Sequence, residues 1–509
     1  MKPLSIYFSL CFVFLVGTIF SFGCGDGHHS GSQRQKDESS VLRIGVGRDL
    51  YDGPDSRSFV HGSLNAWESL IYLDEKLQPR NWLAESWRLE DGGRRWIFQL
   101  KKNIPFHDGT LLTKEVVIEN ILRYKNHPKY DPHGLYRDLL SVRGAGERDV
   151  VFHLSTPCPN FPASINYFGS AILTSGSFDS KGQFTKFTGT GPYRFVMNKD
   201  GVIRLKAHSA YWQGKPPFEN IEFWYIPDAS TRLNALKAGQ IDAIVDVGGI
   251  LPSQLPDLKH SKHITLRSET VATTHYLLFN CQHPPFHSIH NRKWVSSTLD
   301  RNQLVQSIIG DAGVASDSIF TPLAEEWQER LFPLTPSFEK PPDLSPEVEI
   351  SILLHSGTLQ RWPYKDIAEA IHAHLLRGGL KAKIRIEEAG SFKESLKKGN
   401  FDLVLHPFTL MTGDPDIFFT WLSHVSPVAF GNELKNVSEL ASKARYEIDK
   451  EQRKKMYRQL QKWISENGLL LPLYHDVAFY AYRDHIDGLK IDAFFRPNLM
   501  EVKKNKVAR

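Results

Sequence analysis

Cys281, His283, His287 and His290 are spaced C-x-H-x3-H-x2-H, four residues of the types that ligate metals. Thiolate and imidazole suit zinc or nickel, so the residue types permit a site. Pro284 and Pro285 interrupt the segment, and the reading adopted is of loop histidines with no metal held. Other chemistry is harder to assemble. The chain has no G-x-S-x-G, no H-E-x-x-H and no Walker A sequence. Gly45 and Gly47 follow a strand pattern, but Leu50 stands where a dinucleotide fingerprint needs a third small residue. No catalytic residue, enzyme class or cofactor is therefore expected.

What remains is scaffold, and its elements are legible. Val41 to Val46 reads as a strand, and Thr188 to Val245 as a Gly-Thr-Gly-Pro turn, strands and a helix. Asp228 or Ser230 caps that helix, Gly239 ends it in a left-handed position, and Ile241 to Val245 is the next strand. Thr113 caps a helix through Val116, Ile118 and Ile121, and Asp149 to Leu154 is a β run. Strands dominate roughly 60–185, which reads as an inserted subdomain. A helix spans Asn291 to Ile309. Val348 to Leu354, a helix through Ile367, Ile371 and Leu375, and Ala382 to Ile386 form a right-handed βαβ unit. Ser391 and Glu394 form a capping box. Ser438 to Asn467 is an amphipathic helix broken near Asp449. Within these elements LKAGQIDAIV (Leu236 to Val245) is echoed by LKKGNFDLVL (Leu396 to Leu405). A helix, a glycine stop and a buried strand in each half are what two similar α/β lobes leave behind.

With 509 residues the chain exceeds one hydrophobic core, so two or three domains are expected. The net charge of +5 is small, with Lys and Arg interspersed among acids, which argues against nucleic acid as a partner. Lys2 followed by the apolar stretch Leu4 to Phe22 is an export signal. Cys24, after Gly23, resembles a bacterial lipobox, so residues 1–24 read as a lipoprotein signal and Cys24 as the lipidated residue. Residues 25–40 read as a polar tether, placing the protein in the periplasm or cell envelope on a lipid anchor. Cys158 and Cys281 are expected to be free, buried thiols.

TGTGPYRF, YWQGKPP, IPDASTR, AGQID, LAESW, WIFQLKKNIPFHDGTLLT and LLFNCQHPPF, in that order, resemble the family 5 extracellular solute-binding proteins of ABC importers. The resemblance implies an α/β, two-lobed periplasmic-binding-protein-like fold (type II-like) with an extra inserted subdomain on the first lobe. Lobe 1 would be 41–275 including the insert, lobe 2 276–474, and 475–509 a return to lobe 1 with a C-terminal tail. It further implies a monomer that encloses an oligopeptide or similar small solute and delivers it to a membrane permease. A nickel or metal-chelate ligand is the alternative within the family, and a surface lipoprotein with a peptidase or adhesin role the alternative outside it. The hinge strands would lie near Tyr276 to Asn280 and Leu471 to Phe479. Where the peptide-binding branch carries an aspartate for the ligand's ammonium, this chain has Met411. A shifted loop would let Asp414 or Asp416 replace it, while the competing reading makes both acids caps of the following helix. The nickel branch's arginine has no counterpart in SINYFGSAIL, and His424 matches its histidine only across a gap. Trp421, His424, Tyr474 and His475 are the remaining cleft candidates, with Tyr136 a further one. Large aromatics are usually well buried, so Trp421 also reads as core.

Overall fold

The computed structural model describes residues 41–505, apart from 52–61, 126, 128–130, 132–133, 167–169, 183, 338–348 and 426. The signal, Cys24 and the tether lie outside the described residues. Strands are labelled β1 (Val41–Val46), β2 (Ala84–Glu90), β3 (Arg95–Leu100), β4 (Leu139–Ala145), β5 (Asp149–Leu154), β6 (Tyr193–Lys199), β7 (Val202–Ala207) and β8 (Asn220–Tyr225). They continue with β9 (Ala243–Ile244), β10 (Ile264–Phe279), β11 (Glu349–His355), β12 (Lys381–Glu387), β13 (Leu403–Thr409) and β14 (Leu470–Arg483). The helices that matter here are α1 (Lys114–Tyr124), α2 (Ala229–Lys237), α3 (Tyr364–Arg377), α4 (Ala389–Lys398), α5 (Pro415–Val425), α6 (Asn432–Tyr446) and α7 (Lys450–Asn467).

One mixed sheet carries the fold, in the order β12-β11-β13-β10-β14-β9-β1-β8-β7-β6, with Gly313–Ala315 added beside β14. At one end β1 runs parallel to β8 and β9; at the other β11 runs parallel to β12 and β13. Both parallel trios are apolar on their buried faces, as sheets covered by helices must be. Between them β10 and β14, 16 and 14 residues long, form an antiparallel ribbon common to both halves. A second, four-stranded antiparallel sheet, β2-β3-β5-β4, sits between β1 and β6 in the chain and is the strand-rich insert expected from the sequence. Helix α1 packs on it, with Thr113 accepting the Val116 N–H at its start.

The sequence echo has a geometric basis. Helices α2 and α4 each end at a glycine in the left-handed region, Gly239 at φ +73° and Gly399 at φ +66°. Three residues on, Asp242 accepts the Arg43 N–H at 2.8 Å and Asp402 accepts the Ser351 N–H at 2.7 Å. Arg43 directly precedes the residue of β1 paired with Ala243, and Ser351 the residue of β11 paired with Leu403. Each aspartate thus closes the open end of a parallel strand pair in the same way.

Four expectations need correction. The Asn291 to Ile309 segment is not one helix. It stops at Thr298, and Asp300 caps a new turn by accepting the Gln303 N–H at 2.9 Å. Ser391 does not open a capping box, because α4 already begins at Ala389 and the Ser391 hydroxyl donates to the Glu388 carbonyl. Only Ala243 and Ile244 of the predicted Ile241 to Val245 strand enter the sheet. Finally, Tyr276 to Phe279 are paired throughout with β13, whereas the β10–β14 register breaks between Thr270 and Thr274. The crossing between halves therefore falls earlier than Tyr276.

Candidate functional site

At this crossing the side chains of β14 alternate. His475 points to one face, where its ring nitrogens meet Thr274 Oγ1 at 2.9 Å and Ser316 Oγ at 2.8 Å. Burial pushes its pKa down to about 3, so it stays neutral. Tyr474 stacks on His275, ring centroids 4.0 Å apart and 6° from parallel. His275 Nδ1 meets the Tyr364 hydroxyl at 2.7 Å, and its Nε2 lies 3.1 Å from Asp476 Oδ1. The other Asp476 oxygen accepts the Trp362 indole N–H at 2.9 Å. Residues from β10, from β14 and from the segment leading into α3 are thus locked into one buried cluster.

Beside the cluster lies a cavity of about 40 Å³, lined among others by Asp246, Arg361, Trp362, Tyr474, Asp476 and Phe495. That is space for about three waters or one small polar group. Asp246 comes from the β9 side, Arg361 from the β11 side. The aspartate is filled: it accepts from the backbone N–H groups of Gly47, Arg48 and Val247, and from Arg48 Nε at 2.6 Å. Partly buried Arg361 makes no side-chain hydrogen bond or ion pair with any described residue. Burial and neighbouring Arg48 lower its pKa, the sign of a cation held without its own counter-charge. The two halves touch here: a Cβ on Gly248 would lie 2.5 Å from Arg361 Cα, and Gly248 has φ +65°. Only glycine fits that position.

A second seam joins the insert to α5, α6 and α7. Asp414 caps α5 by accepting the Asp416 N–H at 2.8 Å. It also takes both hydrogen bonds of Arg453 Nη2, at 2.6 and 2.8 Å, and one from Asn160 of the insert. Asp416 is held by Arg137 of the insert at 2.8 Å and by Arg445, which also donates to Asp138 at 2.7 Å. A cavity of about 300 Å³ adjoins this seam, lined by Trp87, Trp96, Glu325, Glu326, Arg453 and Lys454 among others. Glu326 is buried with one oxygen unpartnered, and burial together with Asp414 pushes its carboxyl up to about 7. The largest hollow, about 850 Å³, lies between the start of the insert and residues 490–501 and includes Glu269 and Thr270, just before the register break. Its buried acid, Glu68, is saturated by Trp82, Thr190, Tyr211 and Trp212.

Of the residues singled out from the sequence, only Tyr474 lines the hinge cavity. His475 is on the opposite face of the same strand. Met411 is partly buried against the core, and its carbonyl accepts from Asn166 of the insert. Asp414 and Asp416 act as cap and ion-pair partners. Trp421 is core, packed on Phe408, Phe418 and His406. His424 is exposed at the end of α5, its ring against the Thr420 carbonyl. Tyr136 is buried in the insert with its hydroxyl on Ser170. Cys281 is buried, its thiol pushed up to about 12 by burial, while His283, His287 and His290 are exposed. Among the described residues no three His, Cys, Asp or Glu side chains converge as a metal site. Cys158 and Cys281 are free and buried. Arg361, Trp362, Asp246 and Asp476 were missed. An arginine followed by Trp-Pro-Tyr just beyond a buried strand was the one available signal.

The chain was also compared with known proteins. The family model described as Bacterial extracellular solute-binding proteins, family 5 Middle, matches residues 78–430, well over half of the chain. A dipeptide-binding protein of Escherichia coli (strain K12) is 25% identical over 449 residues, covering 81% of this chain and 83% of that protein. Among solved structures, NikA from Brucella suis in complex with Fe(III)-EDTA superposes with a TM-score of 0.81 at 19% identity, over 91% of this chain and 100% of that one. A dipeptide-binding protein from pseudoalteromonas sp. SM9913 in complex with Met-Leu gives 0.77 at 20% identity, over 91% and 100%.

Proposed function

Because the chain belongs to the bacterial extracellular solute-binding proteins, family 5, we propose that it is the substrate-binding component of an ABC importer, working in the periplasm or outside the cell. The two halves of the sheet close on one small solute and present the closed form to a membrane permease. The observation that carries this reading is the unpaired Arg361, facing Asp246 where the halves meet. A guanidinium without a counter-charge in a cavity between two bodies is a binding group awaiting a ligand. The ribbon β10–β14 is the hinge, bending at the register break. We take the lobes as 41–275, 276–474 and 475–509, the protein as a monomer, and Cys24 as the lipid attachment ahead of a tether over 25–40.

The ligand is a peptide or a similar small solute. The E. coli relative is named for dipeptides, and one structural neighbour carries Met-Leu. A metal chelate is the second reading, favoured by the NikA likeness and its Fe(III)-EDTA. Either ligand brings carboxylates to Arg361. No chemistry is done on it: the binding protein returns its ligand intact.

Native mass spectrometry of the purified full chain tests this. We expect one bound small molecule, recovered unaltered after denaturation, with small-angle scattering showing a more compact particle when it is bound. A ligand recovered cleaved would favour the peptidase alternative. No bound molecule, and no compaction with any peptide or chelate added, would sink the importer reading.

A further inference from the structure

The importer reading leaves the ligand's charge open, and the charges at the seam narrow it. Four carboxylates stand around the hinge cavity and on the turn after β13. Asp246 is filled by three backbone N–H groups and Arg48. Asp476 holds the Trp362 indole and faces His275. Asp414 belongs to Arg453 and Asn160, and Asp416 to Arg137 and Arg445. The turn offers nothing else that would hold a cation. Met411 presents a thioether packed on the core, and the Thr412 hydroxyl is engaged with Asp414. The unspent capacity is of the opposite kind. Arg361 has no partner among the described residues, and the Tyr474 hydroxyl, buried beside the same cavity, has none either.

From this imbalance we infer that the ligand is an organic acid without a free ammonium group, its carboxylate held by Arg361 and, where it is a peptide, its amino terminus blocked. This rests on the importer reading and sharpens it. A guanidinium meets a carboxylate with two parallel hydrogen bonds, which also fixes the ligand's orientation. A free ammonium brought to the same cavity meets a like charge and finds every nearby acid taken, so it is desolvated without compensation. The discrimination comes from that mismatch as much as from the attraction to the acid.

The test is isothermal titration of the full chain with three preparations of one dipeptide mixture: free, N-acetylated, and N-acetylated with an amidated carboxyl end. The N-acetylated mixture is expected to bind at least about tenfold more tightly than the free one, and amidation to remove binding; a tenfold ratio is about 1.4 kcal/mol. Arg361→Gln, checked for an unchanged melting temperature, should abolish the difference. Met411→Asp puts an acid on the turn and should bring the free mixture up to the affinity of the acetylated one. Free dipeptides binding as well as acetylated ones to the unaltered chain would overturn the inference and leave the importer reading standing. If none of the mixtures gives heat or shifts the melting temperature, the inference and the peptide reading fall together.

Discussion

Between the insert and α5 to α7, three arginines meet three aspartates: Arg137, Arg445 and Arg453 with Asp138, Asp414 and Asp416. At the hinge cavity one arginine faces an aspartate that Arg48 already holds. The two seams use the same residue types, and both join the second half of the sheet to what precedes it. They differ in whether the charges cancel. A paired, buried arginine is a strut, since removing it exposes its partner to a low-dielectric surrounding; an unpaired one costs the protein something until a ligand arrives. Partner inventory, more than burial, separates the two roles.

The largest expected effect lies on the paired side. Arg453→Ala leaves Asp414, whose side chain is 4% exposed, without its cation, and should cost about 3–5 kcal/mol in urea unfolding. A comparable loss from Arg361→Gln would break the comparison. Glu326, at the same seam, gives the next effect and a defined pH window. An unfolded glutamate releases its proton near 4.5, while the folded one holds it to about 7. This group therefore favours the folded state below pH 4.5, and the advantage is lost as pH rises through 7. Glu326→Gln should then be more stable than the parent by about 2–3 kcal/mol at pH 8 and equal to it at pH 4. Equal stabilities at both pH values would mean that the carboxyl is ionised and paired. Smaller again, Arg361→Gln should leave stability unchanged or raise it by up to about 1 kcal/mol while removing ligand binding, because no partner is stranded. Thermal melts beside titration separate those two readouts.

The smallest effect concerns a helix start. Thr113→Ala should cost about 1 kcal/mol, since Thr113 caps α1, whereas Ser391→Ala should stay within about 0.5 kcal/mol. From sequence both positions looked like caps. Thr113 was readable because the residues before it, at a Gly turn, leave no alternative start. Ser391 was not, because Glu388, Ala389 and Gly390 can all enter a helix and here do. The same distinction governs the larger features. Strands β1, β5 and β14, the insert and the paired echo were legible because local periodicity and glycine stops set them. The register break at Thr270–Thr274 was not, since it depends on which strand β10 pairs with along its length. Nor was the site: the Met411 turn drew the eye by its acids, and only coordinates show that Asp414 and Asp416 are already engaged. Arg361 was invisible for the converse reason, as having no partner is a property that sequence does not carry.

The position of β14 has a consequence for how the chain reaches this fold. Residues 470–483 are among the last to be synthesised, yet they lie in the middle of the sheet, flanked by β9 and β10. Until they emerge, the first half lacks the strand that joins it to the second, and β10 has a bare edge. Pairings this distant in sequence form slowly, because a long loop must close before any contact rewards it. The sheet is therefore completed only after nearly the whole polypeptide has left the ribosome. Such a chain stays loosely structured for most of its synthesis, which is the state a translocation channel can thread.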